Sequence, residues 1–280
     1  MDFDEHRPRL RAVAYRMLGS LAEADDAVQE TWLRFHRTDT TGVGNLGAWL
    51  TTVIGRVCLN VLRDRREIPE VRIPDPIITT TPEEEAELVE SVGLALLVVL
   101  DMLAPAERLA FVLHDMFAVP FDEIAPVIDK SPAATRQLAS RARRRVQGRA
   151  PVPDPDPAVQ HKAVDAFFAA TREGDFEALL ALLDPDVVLR CDGGTARPGL
   201  TQLLQGARTV ASQAVTFAAL SPHAHPVFVN GLPGVVVQPN DQPISVMAFT
   251  VSGHRIVAID VLADPERLNA VTATANTRRA

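Results

Sequence analysis

The sequence is short of cysteine: Cys58 and Cys191 are the only two in 280 residues. They fit neither a metal-ligand spacing nor a disulfide framework, and Cys58, on an apolar stripe, reads as a buried thiol. Aromatic residues are also scarce, at 5% against 47% apolar residues, so aliphatic cores are expected. No apolar run approaches the roughly 20 residues that span a bilayer. The stretch from Met1 to Arg11 is charged throughout, unlike a secretory signal. A cytoplasmic protein without a membrane segment is expected. A basic excess is missing too. The net charge is −8, with 19 basic and 23 acidic side chains in residues 1–150 and 9 and 13 in residues 151–280. That balance excludes a general nucleic-acid coater, so any contact with DNA must be local.

A local concentration exists. Between Ser131 and Arg149 there are six arginines and no carboxylate. Upstream, Phe121 to Ala125 predicts a short helix, Asp129-Lys130-Ser131-Pro132 a turn, and Ala133 to Val146 a second helix. This is the pattern of a helix-turn-helix with its second helix facing phosphates. The spacing predicts Leu138, Ala142 and Val146 inward and Ala133, Arg136, Gln137, Ser140, Arg141 and Arg144 outward. Arginine reads guanine bidentately and glutamine reads adenine. Pro126 should kink or shorten the first helix, because an internal proline removes a donor and clashes with the preceding turn.

Composition divides the chain. Residues 1–66 read as helical, 67–82 as a linker with four prolines and a threonine run, and 83–149 as helical again. A stiff segment over 150–157 follows, then a mixed α+β domain over 158–270 and a tail over 271–280. In the first segment Gly19 can end one helix, and Ser20-Leu21-Ala22-Glu23 fits a capping box for the next. Ala24, Ala27, Val28, Thr31, Trp32 and Phe35 then form one predicted stripe, leaving Asp25, Asp26, Gln29 and Glu30 on an acidic exposed face. After the Thr38–Gly47 loop, a helix from Ala48 to about Arg65 is predicted to turn Trp49, Val53, Val57, Cys58 and Val61 inward. Thr52, Arg56, Asn60 and Arg63 share its opposite face, a chemistry suited to phosphates and base edges. In the last domain, strands are predicted around Val227–Asn230, Val235–Gln238, Ile244–Val251 and Ile256–Leu262, with Ser252-Gly253 as a hairpin turn.

These residues resemble a known family. Asp25-Asp26-Ala27-Val28-Gln29-Glu30-Thr31-Trp32-Leu33 is similar to the region-two helix with which sigma factors hold the RNA polymerase clamp. Ala48-Trp49-Leu50 with Asn60 and Arg63 resembles the adjoining segment that opens and reads the −10 element. Leu103 through Arg145 resembles region four, which reads the −35 element. The other sigma regions are missing, as in extracytoplasmic-function (ECF) sigma factors. Ala163 to Thr171 and Gly174 to Leu189 resemble a SnoaL-like domain of the NTF2-like cone fold, an appendage of the SigJ-like group. Arg136 to Arg143 matches that group, and Asp192-Gly193-Gly194 and Asp264-Pro265-Glu266-Arg267-Leu268 resemble two of its motifs. Arg72-Ile73-Pro74 replaces the group's Trp-Leu-Pro, and Thr195-Ala196-Arg197 follows the glycines where a lysine is usual.

The resemblance implies two all-α domains, a region-two bundle and a region-four helix-turn-helix, followed by the cone domain. It implies core RNA polymerase, through clamp and flap, and −35 and −10 promoter DNA as partners. Asp25, Asp26, Gln29, Glu30 and Leu33 would meet polymerase. Thr52, Arg56, Asn60 and Arg63 would meet −10 DNA. Ala133, Arg136, Gln137, Ser140, Arg141 and Arg144 would meet −35 DNA. Asp192, Gly193, Gly194 and Asp264 to Leu268 would regulate in cis. No cofactor, metal or catalytic role is expected. Two alternatives stand beside this reading. One makes the cone domain a small-molecule sensor or an isomerase- or cyclase-type enzyme, with Asp192, His254 or Asp260 as acid or base. The other is a DNA-binding regulator that works without polymerase.

Overall fold

The computed structural model describes residues 3–65, 71–80 and 93–277. Arg66, Pro69, Pro82 and the expected helical start at 83–92 lie outside the described residues. The chain divides into two compact units. One holds residues 1–68, 88–90 and 96–150; the other holds 69–87, 91–95 and 151–280.

The first unit is helical. Helix α1 (Arg7–Leu18) ends where Gly19 turns left-handed at φ 72 and its N–H bonds the Tyr15 carbonyl. Only glycine makes that turn without Cβ strain. Helix α2 (Leu21–Arg37) starts at Ser20, but the Ser20 side chain makes no cap bond. The expected capping box is therefore corrected: Glu23 turns to Arg65, at 2.5 Å, and an ion pair replaces the reciprocal cap. Ala24, Ala27, Val28 and Thr31 are buried as the period predicts. Trp32 is 38% exposed and lies against His36 with the rings tilted, so the stripe stops a turn early. Helix α3 (Leu46–Asp64) is capped by the Asn45 side chain, which accepts the Ala48 N–H. Its core face is Leu50, Ile54, Val57, Cys58, Leu59 and Leu62. Trp49, Val53 and Val61 are only half-buried. The predicted face was rotated because it was anchored on Trp49, a large ring that packs against Phe35 at the margin of the core.

Helices α4 (Leu94–Asp101) and α5 (Pro105–Phe111) follow, and α5 runs into a π-turn at Val112–Met116. Arg108 is buried, donating to the Met17 carbonyl and to Asp101, both at 2.7 Å. An isolated buried guanidinium is costly, and these partners offset that cost. Helix α6 (Phe121–Ile124) passes into a tighter 3-10 turn at Ala125–Val127, the expected effect of Pro126. Asp129 takes φ 55 in the turn. Ser131 then accepts the Ala134 N–H to start helix α7 (Pro132–Arg149). The buried face of α7 is Thr135, Ala139 and Ala142, with Leu138 and Val146 half-buried. The small side chains go innermost, and the expected Leu138–Val146 line is displaced by about one residue.

In the second unit, helix α8 (Pro157–Glu173) starts with Asp156 accepting the Ala158 N–H and ends at Gly174 with φ 68. Helix α9 is Phe176–Leu182 and helix α10 is Ala207–Thr216. A seven-stranded sheet runs in the order β1-β4-β5-β6-β7-β2-β3. Its strands are β1 (Ile78–Thr79), β2 (Leu183–Asp192), β3 (Gln202–Gln205), β4 (Ala224–Val229), β5 (Leu232–Val237), β6 (Ser245–Ser252) and β7 (Arg255–Leu262). Helix α11 (Pro265–Thr277) follows β7. Phe167, Leu179, Val187, Phe249, Ile256 and Ile259 make the core between helices and sheet. The β6–β7 turn falls at Gly253-His254, both at positive φ, one residue later than expected. Asn230 leaves the predicted strand: Asn230-Gly231, at φ 49 and 76, is the β4–β5 hairpin turn.

Two segments that composition marks as linkers belong to this second unit. Residues 71–80 supply β1, which pairs antiparallel with β4. The Pro151–Pro157 stretch is extended, and Asp154 ties it down by accepting the Gly253 and His254 N–H groups. Among the described residues no helix is long and apolar enough to cross a membrane.

Candidate functional site

Helix α7 presents the basic surface of the first unit. Ala133, Arg136, Gln137 and Arg144 are exposed along it, and Ser140 is half-buried. Arg136 lies over the Phe121 ring at 5.3 Å, and Phe121 in turn stacks on His114. The stacked rings hold the guanidinium out from the turn without neutralising it. The other arginines are less available. Arg141 and Arg145 both bind Glu107, at 2.9 and 2.8 Å, and Arg143 binds Asp115. Arg141, expected among the DNA-facing side chains, thus divides its charge with a carboxylate that is 8% exposed. Among the six arginines of this stretch, Arg136, Arg144 and Arg149 form no ion pair with the described residues, and a docked phosphate would meet these first.

On α3, Arg56, Asn60 and Arg63 are exposed along one face with Thr52 half-buried, as the spacing predicts. Thr52 spends its hydroxyl proton on the Trp49 carbonyl. Arg56 donates to the Pro126 carbonyl at 3.0 Å, within the same unit. Arg34, Arg37, Trp49, Thr52 and Arg56 line a groove of about 610 Å³ with Glu123 and Pro126. On α2, Asp25, Asp26 and Gln29 are exposed, and Glu30 and Leu33 are half-buried. Asp25 pairs with Arg11 at 2.6 Å and Glu30 with Arg34 at 2.8 Å. Arg65, next in chain to this basic face, is turned inward to Glu23 and the Leu18 carbonyl.

The glycine and Asp-Pro-Glu-Arg-Leu motifs meet in the second unit, and they meet on residues 71–80. Asp192 Oδ2 accepts the Ile73 N–H at 3.0 Å and one Arg267 N–H at 2.7 Å. Arg267 Nε donates to Asp75 at 2.6 Å, and its remaining nitrogen donates to the Ile73 carbonyl. One arginine therefore ties three groups from two segments. The carboxylates of Asp75 and Asp192 hold the Arg267 guanidinium above its ordinary value, against the opposing effect of burial. Asp264 caps α11 by accepting the Glu266 and Arg267 N–H groups, which aims the Arg267 side chain. Leu268 is buried beneath. Gly194 has φ 59, and a Cβ there would fall 1.6 Å from Asp264 Oδ2. Gly193 faces the Arg197 carbonyl at 2.1 Å from its own notional Cβ. Both glycines are required by close approach.

Ile73 is 0% exposed, and Ile77 and Ile78 are also buried. Ile77 exchanges hydrogen bonds with Asn230, side chain and backbone. The sequence reading missed Asp75 and Asn230. A signal was present: an Ile-Ile pair is out of place in a solvated linker, and Asn-Gly is the strongest hairpin dipeptide.

Of the acid–base candidates, Asp192 is spent in this clamp and His254 lies exposed in a hairpin turn. Asp260 is buried against Arg190 at 3.1 Å. Burial pushes its carboxyl up from the ordinary value while Arg190 pulls the other way.

Residues 3–68 match the Sigma-70 region 2 family and residues 93–146 the Sigma-70, region 4 family. With the two helical modules and an α+β domain in this order, the chain belongs to the extracytoplasmic-function RNA polymerase sigma factors. It is 41% identical over 219 residues to the ECF RNA polymerase sigma factor SigJ of Mycobacterium tuberculosis, covering 75% of this chain and 70% of that protein. It is 33% identical over 283 residues to a probable ECF RNA polymerase sigma factor SigI of the same species, covering 96% and 94%. The crystal structure of M. tuberculosis SigJ superposes with a TM-score of 0.77 at 33% identity, over 95% of this chain and 96% of that one. The fold agrees with the expected class in its order: helices carrying the two sigma modules, then a domain of helices packed on a sheet.

Proposed function

We propose that the C-terminal domain governs initiation in cis by holding the segment that connects the two DNA-binding modules. The carrying observation is the Arg267–Asp192–Asp75 clamp on Ile73, together with the pairing of β1 to β4. A connecting segment built into a sheet cannot extend to let its two neighbours separate. A tethered domain also sees its target at high effective concentration, so modest contacts suffice.

In this reading Asp25, Asp26, Gln29, Glu30 and Leu33 meet the polymerase clamp. Thr52, Arg56, Asn60 and Arg63 capture −10 bases, and Ala133, Arg136, Gln137, Ser140, Arg141 and Arg144 meet −35 DNA, with region four on the flap. Base capture requires Arg56 to leave the Pro126 carbonyl, and full engagement of Arg141 requires it to leave Glu107. The domain boundaries at 66, 82, 149, 157 and 270 are part of the same proposal, with residues 71–80 assigned to regulation rather than to a passive tether. The protein works in the cytoplasm beside its polymerase and turns over no substrate. Asp192 and Asp260 being held in ion pairs, with His254 exposed in a turn, supports that last point.

The test is run-off transcription with purified core polymerase, comparing the full chain, a chain ending at Arg149, and Arg267→Ala. Specific initiation that changes at least severalfold in both altered forms is expected. Specific initiation from no form of the chain would refute the promoter reading, and identical output from all three would refute regulation by the clamp.

A further inference from the structure

The cone domain contains a cavity of about 270 Å³ that neither DNA nor polymerase contact explains. It lies at the small end of ligand sites, which run to about 300–1,000 Å³ for drug-sized molecules. Its wall is mostly apolar, with Phe168, Leu189 and Met247 among the lining residues and Phe217, 43% exposed, among them at the surface. Among the polar residues that also line it (Thr171, Arg197, Gln202, Gln213, Ser221 and Ser245), two stand out. The Ser221 hydroxyl is 5% exposed and has no hydrogen-bond partner among the described residues. A buried hydroxyl left unpaired costs about 1–3 kcal/mol, so it marks a place where a partner is wanted. Arg197 also lines the cavity, and among the described residues its guanidinium donates to the Ile244 and Ala263 carbonyls, at 3.2 and 3.3 Å, and forms no ion pair. Among the described residues no carboxylate lines the cavity, and Cys191 in its wall is a neutral thiol, pushed up to about 11 by burial. The cavity therefore carries one positive charge that no acid balances.

We propose that this cavity binds a small monocarboxylate with an apolar body, its carboxylate taken by Arg197 and Ser221, and that occupancy is felt at the linker clamp. The route is short. The Arg197 N–H bonds the Gly193 carbonyl, and the Ala263 N–H bonds the Asp192 carbonyl at 2.7 Å. The Ala263 carbonyl is one of the two that Arg197 would release. A carboxylate drawing Arg197 inward acts on the same two chain ends that carry Asp192 and Asp264. The coupling half rests on the cis-regulatory reading above; the binding half does not.

The test uses the full chain without polymerase. Octanoate and neutral 1-octanol are titrated calorimetrically, and exchange of the Ile73 amide is followed with and without octanoate. Saturable one-to-one binding of octanoate is expected, at least tenfold tighter than 1-octanol. Arg197→Gln should weaken it at least tenfold and Ser221→Ala severalfold. Ser221→Ala should melt like the parent, because its hydroxyl has no partner to lose, so it reports even if Arg197→Gln folds poorly. Ala214→Leu, which narrows the cavity, should abolish binding. Exchange at Ile73 should change at least threefold. Absence of saturable binding, equal binding of the alcohol, or binding that survives Ala214→Leu overturns the site. Binding with unchanged Ile73 exchange overturns the coupling. Because polymerase is absent, either negative result leaves the transcription reading standing.

Discussion

At the scale of single residues, charge and space decide more than identity. Arg136 and Arg141 are both arginines on one helix, yet one stands over a ring and the other is shared with Glu107. Arg136→Ala should weaken a −35 duplex by about 1–3 kcal/mol with the melting temperature unchanged. Arg141→Ala should lose less affinity and some stability, because Glu107 is left partly unpaired in a buried place. Anisotropy titrations of holoenzyme and thermal melts separate the two. Gly194→Ala should cost the second unit more than about 2 kcal/mol. The new methyl would meet Asp264, and the alanine would have to hold φ 59. A denaturant melt of the full chain measures it.

The Asp260 carboxyl adds a pH dependence of known sign. Burial raises its folded-state value above the ordinary carboxylate value of the unfolded chain. Between those two points the folded form keeps a proton that the unfolded chain has released. Stability from this group therefore falls as pH climbs through that window. Asp260→Asn should flatten the corresponding part of a melting-temperature profile taken from about pH 4 upward.

At the scale of elements, periodicity was a good guide where one face meets one core. Ala24, Ala27, Val28 and Thr31 are buried as their spacing requires, and Thr52, Arg56, Asn60 and Arg63 share a face. It misled where the largest apolar residue is not the deepest. Trp32 and Trp49 sit at margins, and α7 packs through Thr135, Ala139 and Ala142 because small residues allow close helix approach. The clamp was half legible: the motif residues were visible, their target was not. Prolines flanking a short strand hide it, since the strand's pairing depends on a partner about 150 positions downstream that no local pattern encodes. Ile73 carries much of that attachment. Ile73→Ala should cost about 2–5 kcal/mol of local stability and expose residues 71–80 to limited proteolysis, while Arg72→Ala, on the half-buried neighbour, should cost less.

At the scale of the whole molecule, two units share one interleaved chain, since 71–80 belongs with 151–280. Cutting after Arg149 therefore does more than remove a domain. It strips β1 of its neighbour and leaves Ile73, Ile77 and Ile78 without cover. The truncated chain should show added exposed apolar surface, read by dye binding, and a connecting segment more open to protease than in the full chain. If those residues prove as protected in the truncated chain as in the complete one, the sheet is not what shelters them.

The interleaving also sets an order of events during synthesis. Ile78 and Thr79 leave the ribosome long before Leu262 completes the sheet that receives them. At roughly 5–20 residues per second, the nascent helical modules spend on the order of ten seconds before that sheet is complete. If the finished sheet does restrain those modules, every newly made molecule passes first through an unlocked youth, and a polymerase near the translating ribosome meets that form first.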